Sequence, residues 1–455
     1  MQFPRAVLLF CLTLSSSIVP LVLAPCRTLG AEPSADRPLT LKAAVDYALA
    51  HSPRLASARQ GVATEEYDVA AAKAERWPRF ETDASYRFSD TPTQTALQVP
   101  LSPLSDVFAG QPSSQQQLSA GAFATVPIYL GGRIRAATHL AEAKRELSQI
   151  SVRDVQRQLI FDVTASYART FQLDSDVQAA QESVQALQEA RRDAKHMLDV
   201  GKVARVDLLK VDAGLADVQD ELSEFSDARD AEASRLNALI GRPVLTTVAM
   251  EDKLPQPQAT VEVQDAIRAA LEDNPKYQEE QQRVAVAERT AQLTGTALNP
   301  SVSIVGGYFV NSPSPFATSG ETPLVGVVAS FPFFDHRVTE RVKQNLSEAE
   351  EHRDELRQVA FDIGQRVQAA YLAIKDAQAR IESTTSAVGW AREALRIELL
   401  KERLGRETIE HLLDAQAALL TTEANYNQSL ADYTTAVAAL ERETGTDYFG
   451  FGVTK

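Results

Sequence analysis

One pattern occurs twice in this chain at a fixed spacing. Residues 41–90 and 263–312 align 222 positions apart, with Pro53 on Pro275, Pro78 on Pro300 and Tyr86 on Tyr308. Leu41, Ala44, Val45 and Leu49 fall on Val263, Ala266, Ile267 and Leu271 at the same offset. Farther along, Gly201-Lys202 falls on Gly405-Arg406, Leu208-Leu209 on Leu412-Leu413 and Gly241 on Gly445, now 204 positions apart. The drop of 18 positions places one longer connection in the first half and keeps the rest in register. A duplication of this size requires each half to build the same unit.

Each unit begins with a short helix. Leu41–Ser52 and Val263–Asn274 carry apolar residues at i, i+3, i+4 and i+7, and Pro53 and Pro275 break the period. A second helical stretch ends before Pro78 or Pro300. The period then changes to two. Phe80, Thr82, Ala84, Tyr86 and Phe88 alternate with polar Glu81, Asp83, Ser85 and Arg87. Val302, Ile304, Gly306, Tyr308 and Val310 repeat the apolar face. Ala120, Ala122, Ala124, Val126 and Ile128 form a second such series, matched by Val325, Val327, Ala329, Phe331 and Phe333. The expected strands cover about 80–90, 118–129, 301–310 and 324–334. Each is long enough to cross a bilayer at a tilt. A soluble sheet with one buried face gives the same alternation. Ser89–Gln117 and Asn311–Pro323, rich in Pro, Ser, Thr and Gly, read as loops, and the first holds the surplus.

From about Gly132 to Val200 there is no proline and no further glycine, and the twin runs from His336 to Leu404 with Gly364 and Gly389 inside. Such a run predicts a rod of roughly 100 Å. A second helix follows Gly201 and Gly405. Leu208, Leu215, Leu222 and Leu236 recur at sevens with Arg229 breaking the series, and Leu412, Leu419, Tyr426, Tyr433 and Leu440 recur without a break. Leu173, Val177, Ala180, Val184 and Leu187 step by four and three on the long partner. These are coiled-coil seams. The expected fold is mainly α with a small β part. It comprises a first repeat over 39–241, a linker over 242–262, a second repeat over 263–445 and a tail without clear period over 446–455. The long antiparallel hairpins cover about 132–241 and 336–443.

Residues 1–31 read as a secretory signal, with Arg5 before an apolar run from Ala6 to Leu23 and a small-residue exit at Gly30-Ala31. Its polar residues and Pro20 argue against a transmembrane anchor. Both cysteines, Cys11 and Cys26, lie within it. Leu23-Ala24-Pro25-Cys26 resembles the box that directs lipid to a cysteine. Pro25 stands where a small residue is needed, so no lipid anchor is expected. Removal of Arg5 and Arg27 leaves 44 basic against 61 acidic residues, a charge of −17. That balance argues against nucleic acid as a partner. No GxSxG, GxxxxGK or HExxH motif is present. None of the six histidines has another three to five residues away, so no helical metal pair is expected. The sequence supports neither an enzyme nor a cofactor.

From Leu39 to Gly445 the order of elements, given twice with a glycine at each tip, resembles the TolC family of outer-membrane efflux proteins. The closest local likeness is Gly405-Arg406-Glu407-Thr408-Ile409-Glu410-His411-Leu412-Leu413-Asp414-Ala415-Gln416. Leu39-Thr40-Leu41-Lys42-Ala43-Ala44 and Asp273-Asn274-Pro275 add to it. The resemblance implies a homotrimer whose three four-stranded sheets close a twelve-stranded barrel in outer-membrane lipid. It implies that the hairpins continue the pore as a helical cylinder through the periplasm, reaching a periplasmic adaptor and an inner-membrane transporter. The family's pore constriction falls on His411 and Asp414, with Asp207 and Lys210 as first-half twins. The histidine departs from the family's acidic pattern. Adaptor contact is implied for the tips at Gly201, Lys202, Val203, Gly405, Arg406 and Glu407. Two other classes, a periplasmic adaptor and a soluble coiled-coil scaffold, share the hairpin but not the duplicated strand pairs.

Overall fold

The helices begin and end where local chemistry demands. In α1 (Leu41–His51), Thr40 caps the start by accepting the Ala43 N–H at 3.0 Å. Its buried face is Leu41, Ala44, Val45 and Ala48, the spacing read from the sequence. Pro53 opens α2 (Pro53–Ala74) at a first-turn position that has no N–H to lose. The computed structural model describes residues 38–88, 94–96, 109–112, 116–251, 253–257, 262–312, 320–403 and 409–452. The expected signal segment and Cys26 lie outside them.

The chain continues through β1 (Arg79–Phe88), β2 (Gln94–Ala96), β3 (Ala109–Pro112), β4 (Gln116–Leu130), α3 (Arg133–Asp199) and α4 (Arg205–Ile240). The second half repeats the order with α5 (Val263–Asp273), α6 (Pro275–Gly295), β5 (Ser301–Ser312), β6 (Gly320–Ser330), α7 (His336–Arg403) and α8 (Ile409–Thr444). A single turn of 3-10 helix, Thr296–Leu298, links α6 to β5. Asn274 caps α6, accepting the Lys276 N–H at 2.9 Å, and its amide donates to the buried Glu443 carboxylate at 3.0 Å.

The four long strands form one antiparallel sheet in the order β1-β4-β5-β6. Its register puts Phe80 beside Ala124, Ala122 beside Tyr308 and Ile304 beside Val327. The two expected apolar faces thus merge into one. Three details differ from the sequence reading. The connection Ser89–Gln117 was expected to be loop, but β2 and β3 within it pair with each other as a separate two-stranded sheet. β6 stops at Ser330 rather than near 334, because its partner β5 begins at Ser301, which pairs with Ser330. The alternation in β4 also shifts between Pro127 and Tyr129, so both Ile128 and Tyr129 are exposed, as a bulge requires.

Below the sheet the buried residues form separate clusters at the helix bases and along the hairpins. Leu41, Val45, Leu55, Leu159, Val163, Tyr167, Leu236 and Ile240 pack together in the first half. Ala266, Ala270, Ile363, Val367, Tyr433, Val437 and Leu440 do so in the second. The seam residues Leu173, Val177, Ala180, Val184 and Leu187 are all buried. At the break in the leucine series, Arg229 reaches Asp174 of the facing helix at 3.9 Å. The tail also joins the core: Phe451 is buried and its ring stacks on Phe449 at 5.3 Å.

Candidate functional site

Two regions expose side chains that the core does not account for. The first is the sheet. Its merged apolar face looks outward, with Phe80 79% and Val325 85% exposed. Burying a large apolar side chain is worth about 1.5–3 kcal/mol, so an unpartnered face of this extent marks an apolar contact surface. Aromatics stud it: Trp77, Tyr129, Phe331, Phe333 and Phe334 stand at or just beyond the strand ends that adjoin the helices, and Phe80, Tyr86, Phe88 and Tyr308 lie along β1 and β5. Small and aliphatic residues share their rows, with Ala124 beside Phe80, Ala122 beside Tyr308 and Ile304 beside Val327. The span from Phe80 to Phe88 is roughly 26 Å along the strand, close to the ~25 Å apolar band of membrane barrels with their aromatic girdles. Alternation alone revealed the face. That the four strands share one such face emerges only once the register sets them side by side.

The opposite face departs from the polar reading. Val305 and Phe309 are buried, and the Phe123 ring lies over Gly121 and Gly307. A Cβ at either glycine would come within 2.8 or 2.6 Å of the ring. No helix of the described residues is long and apolar enough to cross a membrane.

The second region is the hairpin tips. α3 ends in a six-residue reversal in which the Lys202 N–H reaches the Met197 carbonyl at 2.8 Å and the Gly201 N–H reaches Leu198 at 2.9 Å. This closure needs a left-handed residue, and Gly201 supplies it at φ 72°. Lys202 and Val203 follow in the turn, and α4 restarts with the Asp207 carboxylate accepting the Ala204 N–H at 3.1 Å. Asp207 is therefore committed to its own helix terminus. Of the second tip, Gly405, Arg406 and Glu407 lie outside the described residues.

The two hairpins meet at their tips. Ala194, Val211 and Ile409 pack with Leu208 and Leu413, and Leu413 sits where a Cβ on Gly214 would come within 2.9 Å. Beside this cluster Lys210 Nζ lies 2.7 Å from Glu410 Oε2, joining α4 to α8. The contact with Lys210 holds the Glu410 carboxyl below its usual range, and Glu410 in turn raises the Lys210 ammonium. Glu410 was absent from the expected set, because its partner lies 200 positions away and neither halves' spacing nor period reveals the contact. His411 and Asp414 occupy the exposed face of α8, opposite buried Ile409, Leu412 and Gln416. Of the four expected constriction residues, the structure thus places two on that face, one in a cap and one in an inter-hairpin ion pair.

Comparison with known proteins agrees with this geometry. A model of the family described as outer membrane efflux protein matches residues 44–242 and 266–446. The chain is 23% identical over 416 residues to the outer membrane efflux protein BepC of Brucella suis biovar 1 (strain 1330), covering 89% of this chain and 85% of that one. In fold it is similar to the CmeC outer membrane channel of Campylobacter jejuni, with a TM-score of 0.72 at 15% identity over 92% of this chain and 90% of that one. It is also similar to the outer membrane protein VceC of Vibrio cholerae, with a TM-score of 0.67 at 16% identity over 90% and 96%. Two matched halves, one sheet with an outward apolar face and paired helical hairpins agree on one assignment, and the chain belongs to the outer membrane efflux protein family, the TolC-like channels.

Proposed function

We propose that this protein is the passive exit duct of a tripartite efflux or type I secretion assembly, working as a homotrimer that spans the outer membrane and extends into the periplasm. The sheet carries the reading. Among the described residues its edges at β1 and β6 have no partner strand, while its outer face is apolar and exposed. Open strand edges are not tolerated in a bilayer, so β1 of one copy must pair with β6 of the next. Three copies of four strands give a twelve-stranded barrel, within the range of membrane barrels.

A second surface supports assembly. Phe361, Leu372, Trp390 and Ile397 are exposed on α7, at separations of 11, 18 and 7 positions that keep them on one stripe. A neighbouring copy would cover it. A periplasmic adaptor or a soluble scaffold would instead leave this stripe and the apolar sheet face in water. The hairpin tips at Lys202 and Val203, with Gly405, Arg406 and Glu407, would meet the periplasmic adaptor, which couples the duct to an inner-membrane transporter. His411 and Asp414 would line the narrowest part of the pore. Transport through such a duct needs no catalytic residue.

Membrane fractionation followed by mass measurement in detergent tests the reading. The expected result is an outer-membrane protein three chains in mass, with Val325→Arg blocking insertion, since an arginine at the bilayer midplane costs about 2–4 kcal/mol. A soluble monomer would overturn it.

A further inference from the structure

Three side chains from two helices converge below the sheet. Glu280 of α6 and Glu355 of α7 each place a carboxylate oxygen 2.8 Å from the same atom, Nδ1 of His352. The three ligand-capable atoms lie within 4.8 Å of one another. Glu280 is only 7% exposed, while His352 and Glu355 keep one side open to solvent. An imidazole nitrogen carries at most one proton, so Nδ1 can fully satisfy only one of the two carboxylates. The second is pressed against a like charge. Burial and the adjacent Glu355 carboxylate push Glu280 above the usual carboxylate range. A cation in place of the shared proton would satisfy all three groups at once.

We propose that Glu280, His352 and Glu355 form a binding site for a divalent transition cation of the zinc type, which joins α6 to α7. One imidazole with two carboxylates suits zinc, whereas calcium and magnesium take larger sets of oxygen ligands. Tetrahedral zinc with bonds of about 2.0–2.1 Å holds its ligands roughly 3.3 Å apart. The nitrogen–oxygen pairs therefore need to open by only about half an ångström. A supporting contact is already built. Arg283 Nη1 lies 3.6 Å from the other oxygen of Glu280 and is itself held by Glu279 at 2.7 Å, which turns Oε1 toward the imidazole. The open side of His352 and Glu355 provides a path in and room for water to complete the coordination. His352 and Glu355 are one turn apart on α7, and Glu280 comes from 72 positions earlier. Histidine spacing along one helix could not show this site. Because α6 leads into β5 and α7 follows β6, the ion would clasp the two helices that carry the second strand pair.

The test uses the mature protein purified in detergent, stripped with a chelator and titrated with Zn²⁺, then with Co²⁺ as a spectroscopic probe. The expected result is about one zinc per chain, cobalt absorption bands typical of a nitrogen–oxygen site of low coordination, and a zinc-dependent rise in thermal midpoint. Glu280→Gln and Glu355→Gln should each weaken zinc binding on the order of tenfold or more. Glu355 is exposed, so its variant keeps the fold even where a change at buried Glu280 does not. His139→Asn and His336→Asn should change nothing, because those histidines each meet a single carboxylate, Glu142 at 3.5 Å and Glu340 at 3.4 Å. Equal zinc affinity in the wild type and Glu355→Gln would overturn the proposal, as would loss of binding in either control variant.

Discussion

Gly201 and Gly445 share a left-handed φ of 72°, but their surroundings differ. Nothing stands within 4 Å of a Cβ built on Gly201, whereas one on Gly445 would fall 2.5 Å from both Arg157 Nη2 and Asp273 Oδ2. These two groups form an ion pair of 2.6 Å. Gly201→Ala should therefore cost about 1–2 kcal/mol, from backbone conformation alone. Gly445→Ala adds the displacement of a hydrogen-bonded pair, about 1–3 kcal/mol more. Thermal unfolding in detergent should rank Gly445→Ala clearly below Gly201→Ala, and equal midpoints would refute the packing argument. The duplication is legible even here. Gly241, the twin of Gly445, would meet the carbonyl of His51 at 2.8 Å, and His51 is the twin of Asp273. The sequence showed the paired glycines and could not show their neighbours, since each contact joins positions far apart in the chain. One turn before Gly445, burial pushes the Glu441 carboxyl up to about 7, with the charge of Asp447 adding and the Tyr448 N–H opposing. A folded-state value above the usual 4.5 means that the folded chain holds the proton more tightly than the unfolded one. The associated stability is present below about pH 4.5 and is lost as pH rises through about 7. Glu441→Gln keeps an acceptor for the Tyr448 N–H, now 2.9 Å away, and removes the charge. Its thermal midpoint should stay nearly flat between pH 5 and 8 while the wild type declines, with a gain at pH 8 on the order of 3 kcal/mol at most. Parallel curves for the two proteins would show that Glu441 ionises without cost.

Among the elements, the sequence was most legible where one periodicity runs long. Seam positions from Leu173 to Leu187 are buried as the heptad spacing requires, and the strand faces follow period two. Misreadings fall where a local exception overrides the period, at the end of β6 where its partner strand runs out, at the Pro127–Tyr129 shift and in the glycine-supported packing of Phe123. Buried polar contacts between helices also stayed hidden. The Gln416 amide donates to Ser183 Oγ at 2.8 Å, and that of Asn427 donates to Asp176 at 2.8 Å. Both join α8 to α3 and fix their register, a role open to any small polar pair and so without a sequence signature. The β2–β3 sheet is another exception. It belongs to the surplus of the first half and pairs with no strand of the main sheet. Removing Thr93–Ser113 should leave the β1–β4 register, which begins at Phe88 and Gln116, and hence the assembled protein, intact. Size-exclusion chromatography in detergent decides, and loss of the oligomer would assign the insert a structural role.

For the whole molecule, the proposed trimer would turn each tip residue into a ring, so the charge at the proposed constriction depends on which groups are already paired. Lys210 and Glu410 neutralise each other across the hairpins, and Asp207 is spent on the N-terminus of α4. Asp414 and His411 stand together on the exposed face of α8. In a channel reconstituted in a planar bilayer, Asp414→Asn should therefore weaken block by multivalent cations. Lys210→Ala should strengthen it, because it releases three Glu410 carboxylates at the same level. The two opposite signs are the informative part, since a merely loosened tip would shift block in one direction for both variants. The Lys210–Glu410 contact is exposed, so its effect should shrink as salt rises toward 1 M, where charges are screened within about 3 Å. If the wild type and both variants give superimposable block curves, these residues lie outside the conducting path, and the constriction must be sought elsewhere along the hairpins.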